Sequence, residues 1–316
     1  MKKILVIGSL NMDQALQVEH IPAAGETILC QDMQLVCGGK GANQAFTCGR
    51  LGCQVEMLGC VGRDENGTAL IENLAKAGIE TANIRQVKDK PTGAAVIAVE
   101  KAGNNCIFVI QGANLRTDET YIRENEKRIQ EADAVVLQLE IPLPAVTLAA
   151  KLGRKEGKLV ILDPAPATEL PDELYRCVDI IKPNETELAL LTGLPVKSRD
   201  EVENAARCLL KRGAKNVVVT LGEAGAMLVR DSGSVVFPGK KVEVADTTAA
   251  GDSFTAAMTM LLSEGYSLEQ AISFAIEVAA IVVTRPGAQS SIPKGEEVKK
   301  LIPPKNDSGL PLDEME

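Results

Sequence analysis

Residues 134–163 read AVVLQLEIPLPAVTLAAKLGRKEGKLVILD. Ala134–Leu139 and Leu159–Leu162 are short, apolar and rich in β-branched residues, and Leu143–Glu156 between them is long enough for a helix. A strand, a crossover helix and a second strand running the same way make a parallel pair. The alternation continues in both directions. Strands are predicted at Ile4–Ile7, Val55–Leu58, Asp179–Ile181, Asn216–Thr220, Ala226–Val229 and Val242–Ala245. Helices are predicted at 42–50, 67–77, 117–131, 185–192, 201–212, 253–263, 268–283 and 296–301. This is the pattern of an α/β fold in three layers, a mostly parallel sheet flanked by helices.

Two stretches, 13–37 and 91–110, look extended and lack a crossover helix. The second reads as a hairpin, Ala94–Val99 and Cys106–Ile110 about a turn at 101–105. Together they are expected to form a small antiparallel β lid on a single unit spanning 1–302. The tail 303–316 is rich in Pro, Gly and charge and is expected to be disordered.

The bulk composition removes several function classes. A net charge of −9 disfavours any long nucleic-acid or anionic-membrane surface. Only four apolar residues separate Lys3 from Gly8, too few for a signal-peptide core, and no run is long enough to span a membrane. The eight cysteines show no Cys-x-x-Cys spacing and His20 is the only histidine, so a zinc site and a Ser-His-Asp site are both disfavoured. Reduced thiols in a cytoplasmic protein are the expectation.

Ligands of an open α/β sheet bind beyond the carboxyl ends of its strands. The residues just past the predicted strands are polar: Asn11 and Asp13, Glu140, Asp163, Asn184 and Glu187, Thr220, and Asp246. Each alone could be a turn former or a cap. Their convergence on one edge points to a site. Asp246-Thr247-Thr248-Ala249-Ala250-Gly251-Asp252-Ser253 joins a strand to a helix. Small residues there let backbone approach a ligand, and the free N–H groups of a first turn bind an anion such as a transferring phosphoryl group. Asp252 sits inside that cradle, where it could take a proton from an attacking hydroxyl. Gly38-Gly39-Lys40-Gly41-Ala42-Asn43-Gln44-Ala45 is a second glycine-rich helix start. It is not a P-loop, because Gly rather than Ser or Thr follows Gly-Lys, and Gln44 stands where Gly-x-Gly-x-x-Gly needs its last glycine.

With Gly8 through Asp13, Gly38 through Ala45, Asp163-Pro164-Ala165-Pro166, Pro183 through Glu187, Ala249 through Asp252 and Thr284 through Gln289, in this order, the chain resembles the ribokinase-like carbohydrate kinases from about residue 3 to 302. The resemblance implies ATP-dependent phosphorylation of a small sugar, ribose giving ribose 5-phosphate. Deoxyribose or a ketose is the alternative acceptor, and an inactive sugar-binding regulator the alternative class. It implies that Asn11, Asp13, Gly39, Lys40, Asn43, Glu140 and Asp252 hold the sugar, with Asp252 also the general base. Ala249, Ala250 and Gly251 would form the anion hole, and Asn184, Thr220, Gly222 and Gly225 would face the nucleotide. Asn184 and Glu187 would orient the water shell of Mg²⁺. Asp246, Thr248, Val282, Arg285, Gly287 and Ser291 would surround K⁺. A homodimer through the lid is also implied. Ile276 departs from the pattern, standing where a polar residue often approaches the adenine. With three Tyr and five Phe in the chain, an aromatic clamp for a nucleobase acceptor is not expected.

Overall fold

A computed structural model describes residues 2–30, 32–100 and 105–305. Its central sheet has eight strands: β1 (Lys3–Ile7), β4 (Gln54–Leu58), β9 (Ala134–Leu137), β10 (Leu159–Leu162), β11 (Ile180–Ile181), β12 (Asn216–Thr220), β13 (Gly225–Arg230) and β14 (Gly233–Pro238). They run in the order β14-β13-β12-β11-β10-β9-β1-β4. Every pair from β4 to β12 is parallel, and β12, β13 and β14 form an antiparallel end.

Successive side chains of a strand face opposite ways. Leu5, Ile7, Val135, Leu137, Val160, Leu162, Val217 and Val219 therefore share one core with the helices at Leu143–Lys155 and Arg199–Lys211. Ile4, Val6 and Val136 face the other way, toward the helix at Lys40–Arg50 and Ala256 of the helix at Ala250–Ser263. Ile161 and Val218 face that second side further along, against the helix at Leu268–Val283. A strand covered on both faces must be apolar throughout, so the motif-bearing strands read as unbroken hydrophobic runs. Each such fully buried aliphatic side chain contributes roughly 1.5–3 kcal/mol.

The smaller sheet runs β3 (Met33–Gly38), β2 (Asn11–Val18), β7 (Gly93–Glu100) and β8 (Asn105–Ile110). Its β2–β3 and β7–β8 pairs are antiparallel, whereas β2 and β7 are parallel over eight residues. Strands β5 (Cys60–Gly62) and β6 (Arg85–Val87) form a separate parallel pair that the sequence did not announce. The turn expected at 101–105 lies almost entirely outside the described residues, and so do residues 306–316 of the tail.

Three expectations are corrected. Residues Val242–Ala245 are irregular, not a strand. The segment pairs with no strand of the sheet, which ends at β14, and Val242 and Val244 line a cavity instead. The helix expected over 117–131 is two, Glu119–Glu124 and Glu126–Glu131, broken at Asn125, whose Nδ2 donates to Tyr121 O at 2.9 Å. Finally, β9 stops at Leu137, which leaves Gln138 as a buried polar residue beyond the strand end.

Candidate active site

The start of the Lys40–Arg50 helix lies against the turn between β1 and β2, and glycine makes that possible. Gly39 has φ 89°, and a Cβ on Gly41 would come within 2.6 Å of Ser9 N. With neither obstructed, Ala42 N donates to Ser9 O at 2.9 Å. Lys40 N then donates to Glu140 Oε2 at 3.1 Å, and Ser9 Oγ to the same oxygen at 2.5 Å. Asn11 Oδ1 accepts from Asn114 Nδ2 at 2.7 Å, and Asn114 Oδ1 accepts from Leu10 N. Asp13 crowds Gly38, and its Oδ1 is buried without a hydrogen-bond partner. Burial, with Glu140 and Asp252 as neighbouring carboxylates, pushes the Asp13 carboxyl up to about 7. A buried carboxyl oxygen without a partner is a poor structural element and a ready partner for a ligand hydroxyl.

The second helix start comes from 209 residues away in sequence, yet Asn43 Nδ2 donates to Asp252 Oδ2 at 3.0 Å. Ala249, with φ 61°, is the one non-glycine residue at positive φ among those described, and it leads into the Ala250–Ser263 helix with no side-chain cap. Uncapped first-turn amides and a left-handed entry form a concave donor array. Asp252 is 7% exposed, and burial raises its pKa, with Lys40 opposing and Asp163 assisting. Burial lowers the Lys40 pKa, but Asp252, Asp163, Glu140 and Glu187 outweigh it and hold it above the usual lysine value.

From Lys40 and Asp252 a cavity of about 830 Å³ runs along the edge of the sheet. Asn184, Glu187, Thr220, Gly222, Gly225 and the 249–251 turn are among its lining residues, and Val242, Val244, Ile276, Ala280 and Val283 give it an aliphatic portion. Asn184 and Glu187 cap one helix reciprocally: Asn184 Oδ1 accepts from Glu187 N and Glu187 Oε2 from Asn184 N, both at 2.8 Å. Burial and the nearby Asp163 raise the Glu187 pKa.

Beside the turn, Asp246 Oδ1 accepts from Thr248 N and Oγ1, and Oδ2 from Gly287 N at 2.9 Å. Burial opposes ionisation of Asp246, yet those bonds hold it below the usual range. Its own N–H donates to Val283 O, and Arg285 N donates to Val282 O. Arg285 points its guanidinium at Glu297, 2.7 Å away, and so leaves only its backbone to this carbonyl-rich corner. Ser291 Oγ donates to Ala288 O.

The sequence-predicted positions thus fall into three adjoining groups: Asn11, Asp13, Gly39, Lys40, Asn43, Glu140 and Asp252; the cavity wall; and the corner at Asp246. Three residues at the site were missing from the expected set: Gln44, Lys182 and Asn114; Asp163 stood among the strand-end residues without an assigned role. Lys182 follows a strand directly, which is the signal that could have singled it out as well.

An uncapped helix start with free amides, a buried carboxylate beside it and a cavity of about 830 Å³ suit a phosphotransferase acting on a hydroxyl. The model of the pfkB family carbohydrate kinases matches residues 1–295, and the chain belongs to that family. It is 40% identical over 301 residues to ribokinase of Haemophilus influenzae, covering 95% of this chain and 98% of that one. It is 37% identical over 300 residues to deoxyribokinase of Salmonella typhi, covering 95% and 98%. Among solved structures, Arabidopsis thaliana ribokinase complexed with ribose and ATP is similar at TM-score 0.89 and 35% identity, covering 95% of this chain and 98% of that one.

Proposed function

We propose that the protein transfers the γ-phosphate of ATP to O5 of D-ribose. The observation that carries this reading is the meeting of the 249–252 turn with the Lys40–Asn43 helix start through the Asn43–Asp252 hydrogen bond. Asp252 accepts the proton of the attacked hydroxyl, while amides of Ala249, Ala250 and Gly251 take up charge on the phosphoryl oxygens. Asn11, Asp13, Lys40, Asn43 and Glu140 hold the sugar's hydroxyls. Phosphoryl transfer asks mainly for alignment and charge stabilisation, so a weak base suffices. The ribokinase relatives and the ribose-bound neighbour favour ribose. The orphaned Asp13 oxygen favours an acceptor with a full set of hydroxyls.

Among the described residues no three acidic, histidine or cysteine side chains form a metal cage. Asn184 and Glu187 suit Mg²⁺ held through water and the nucleotide's own oxygens, where it would neutralise phosphate charge. Asp246 with Thr248 and the backbone of Val282, Arg285, Gly287 and Ser291 suits K⁺, a hard monovalent ion, because the donors are oxygens with one net charge among them. We extend the reading to a homodimer through the 13–37 and 91–110 lid: Met33, Leu35, Phe108 and Ile110 share one face of its sheet and are exposed, an apolar patch of the kind that partners cover. All eight cysteines are free thiols, which supports a cytoplasmic setting.

The test is ADP release across ribose, 2-deoxyribose and ketoses, in the wild type and in Asp252→Asn. Preference for ribose and a fall in kcat of about 10²–10⁴-fold in the variant are expected. A better acceptor than ribose would overturn the substrate, and absence of turnover with every sugar would favour a binding protein.

A further inference from the structure

Asp252 is held from two sides, and only one of them belongs to the sugar-facing set. Asn43 Nδ2 donates to its Oδ2. The other oxygen, Oδ1, accepts from Gln44 Nε2 at 3.1 Å, and the same nitrogen donates to Asp163 Oδ2 at 2.9 Å. Gln44 is wholly buried. Its orientation follows from chemistry: ionised carboxylates only accept, so the amide nitrogen must face them and the oxygen must face away. That oxygen is taken by Gln138 Nε2 at 2.6 Å, which locks the amide in place.

Asp163 is anchored in turn. Its Oδ1 lies 3.2 Å from Lys182 Nζ, in an ion pair that is almost fully buried. Lys182 Nζ also donates toward Gly251 O at 3.5 Å, and Thr255 Oγ1 donates to the same carbonyl at 3.0 Å. The chain of contacts therefore starts beyond β9, passes through Gln44 to the carboxylate after β10, and returns through Lys182 to the turn that carries Asp252.

The geometry points to Gln44 as a positioning residue for the transfer reaction, its amide bridging Asp252 and Asp163 so that the base presents one fixed edge to the acceptor hydroxyl. This rests on Asp252 being the base. A buried carboxylate free to rotate would spend little time aligned, and a misplacement near 1 Å costs about 10²-fold in rate. The bridge also separates two like charges: Asp163 raises the Asp252 pKa, while the bond from Gln44 lowers it. The other charged groups acting on Asp252 are Lys40 and Asp13; Glu140 and Glu187 act on Lys40 in turn, and Lys182 pairs with Asp163.

The test uses Gln44→Met, close in size and unable to donate, and Asp163→Asn, which keeps Gln44 and removes the like charge. In Gln44→Met, kcat should fall about 10–100-fold with the KM for ribose changed by less than about threefold. The acid limb of its kcat–pH profile should move to higher pH, because the charged form of Asp252 has lost a donor. In Asp163→Asn the limb should move the opposite way. Should Gln44→Met fail to fold, Asp163→Asn still decides, since an unmoved or upward limb overturns the inference. Unmoved limbs in both variants, with Asp252→Asn inactive, refute the bridge alone. Normal turnover in Asp252→Asn removes the base and the bridge together.

Discussion

Asp13 should cost the unliganded protein stability, and the cost should depend on pH in a defined way. Its carboxyl moves from an ordinary 3.8 to about 7, through burial first and then through Glu140 and Asp252. A folded-state pKa above the unfolded one means that the folded chain prefers the protonated form. The preference leaves stability intact below about pH 4 and withdraws it progressively up to about pH 7, beyond which the loss is constant. A shift of that size corresponds at most to about 4 kcal/mol at 1.36 kcal/mol per unit. Because Asp13 keeps some access to solvent, roughly half of that is a fairer expectation. For a chain of this length the unfolding entropy is about 0.66 kcal/mol/K, so ~2 kcal/mol corresponds to about 3 °C in Tm. Asp13→Asn should therefore melt within a degree or so of wild type near pH 4 and about 3 °C above it at pH 8, while binding ribose more weakly. Differential scanning calorimetry without sugar reads the first effect and isothermal titration the second. A Tm difference that stays flat from pH 4 to 8 would refute the electrostatic reasoning, whatever its size.

The corner at Asp246 predicts that replacing K⁺ by tetramethylammonium lowers kcat severalfold, and that Asp246→Asn abolishes the difference between the two salts; equal wild-type rates in both would remove the cation. The apolar face of the lid predicts a dimer by sedimentation velocity and a monomer after Phe108→Glu, with the exposed position making misfolding an improbable cause of the change. A monomeric wild type at micromolar concentration would remove the lid interface.

The sheet was legible in the sequence because its strands are covered on both faces and leave apolar runs that few other contexts produce. Leu159–Leu162 was located to the residue for this reason. The errors came where apolar character has another cause. Val242 and Val244 alternate with Lys241 and Glu243 like a half-buried strand, but they line the cavity and remain exposed, and a period of two marks any extended segment with one apolar side. Strand β14 shows the converse. Its residues are half exposed at the end of the sheet, so packing left little signal in its composition.

Within the site, residues chosen for backbone geometry were the readable ones. Gly39 and Gly41 are small because a Cβ there would collide with backbone, and Ala249 takes a left-handed φ of 61°; such requirements show locally. Gln44 is the opposite case. In its own motif it registers only as the residue that spoils a glycine pattern, whereas its partners Asp163 and Asp252 lie 119 and 208 residues away. A side chain whose task is to bridge two distant carboxylates has no neighbour in sequence that betrays it. It becomes intelligible only when the helix start, the end of β10 and the anion turn meet at one edge of the sheet. There a buried amide with a fixed orientation is the cheapest way to keep two negative groups apart and one of them aimed.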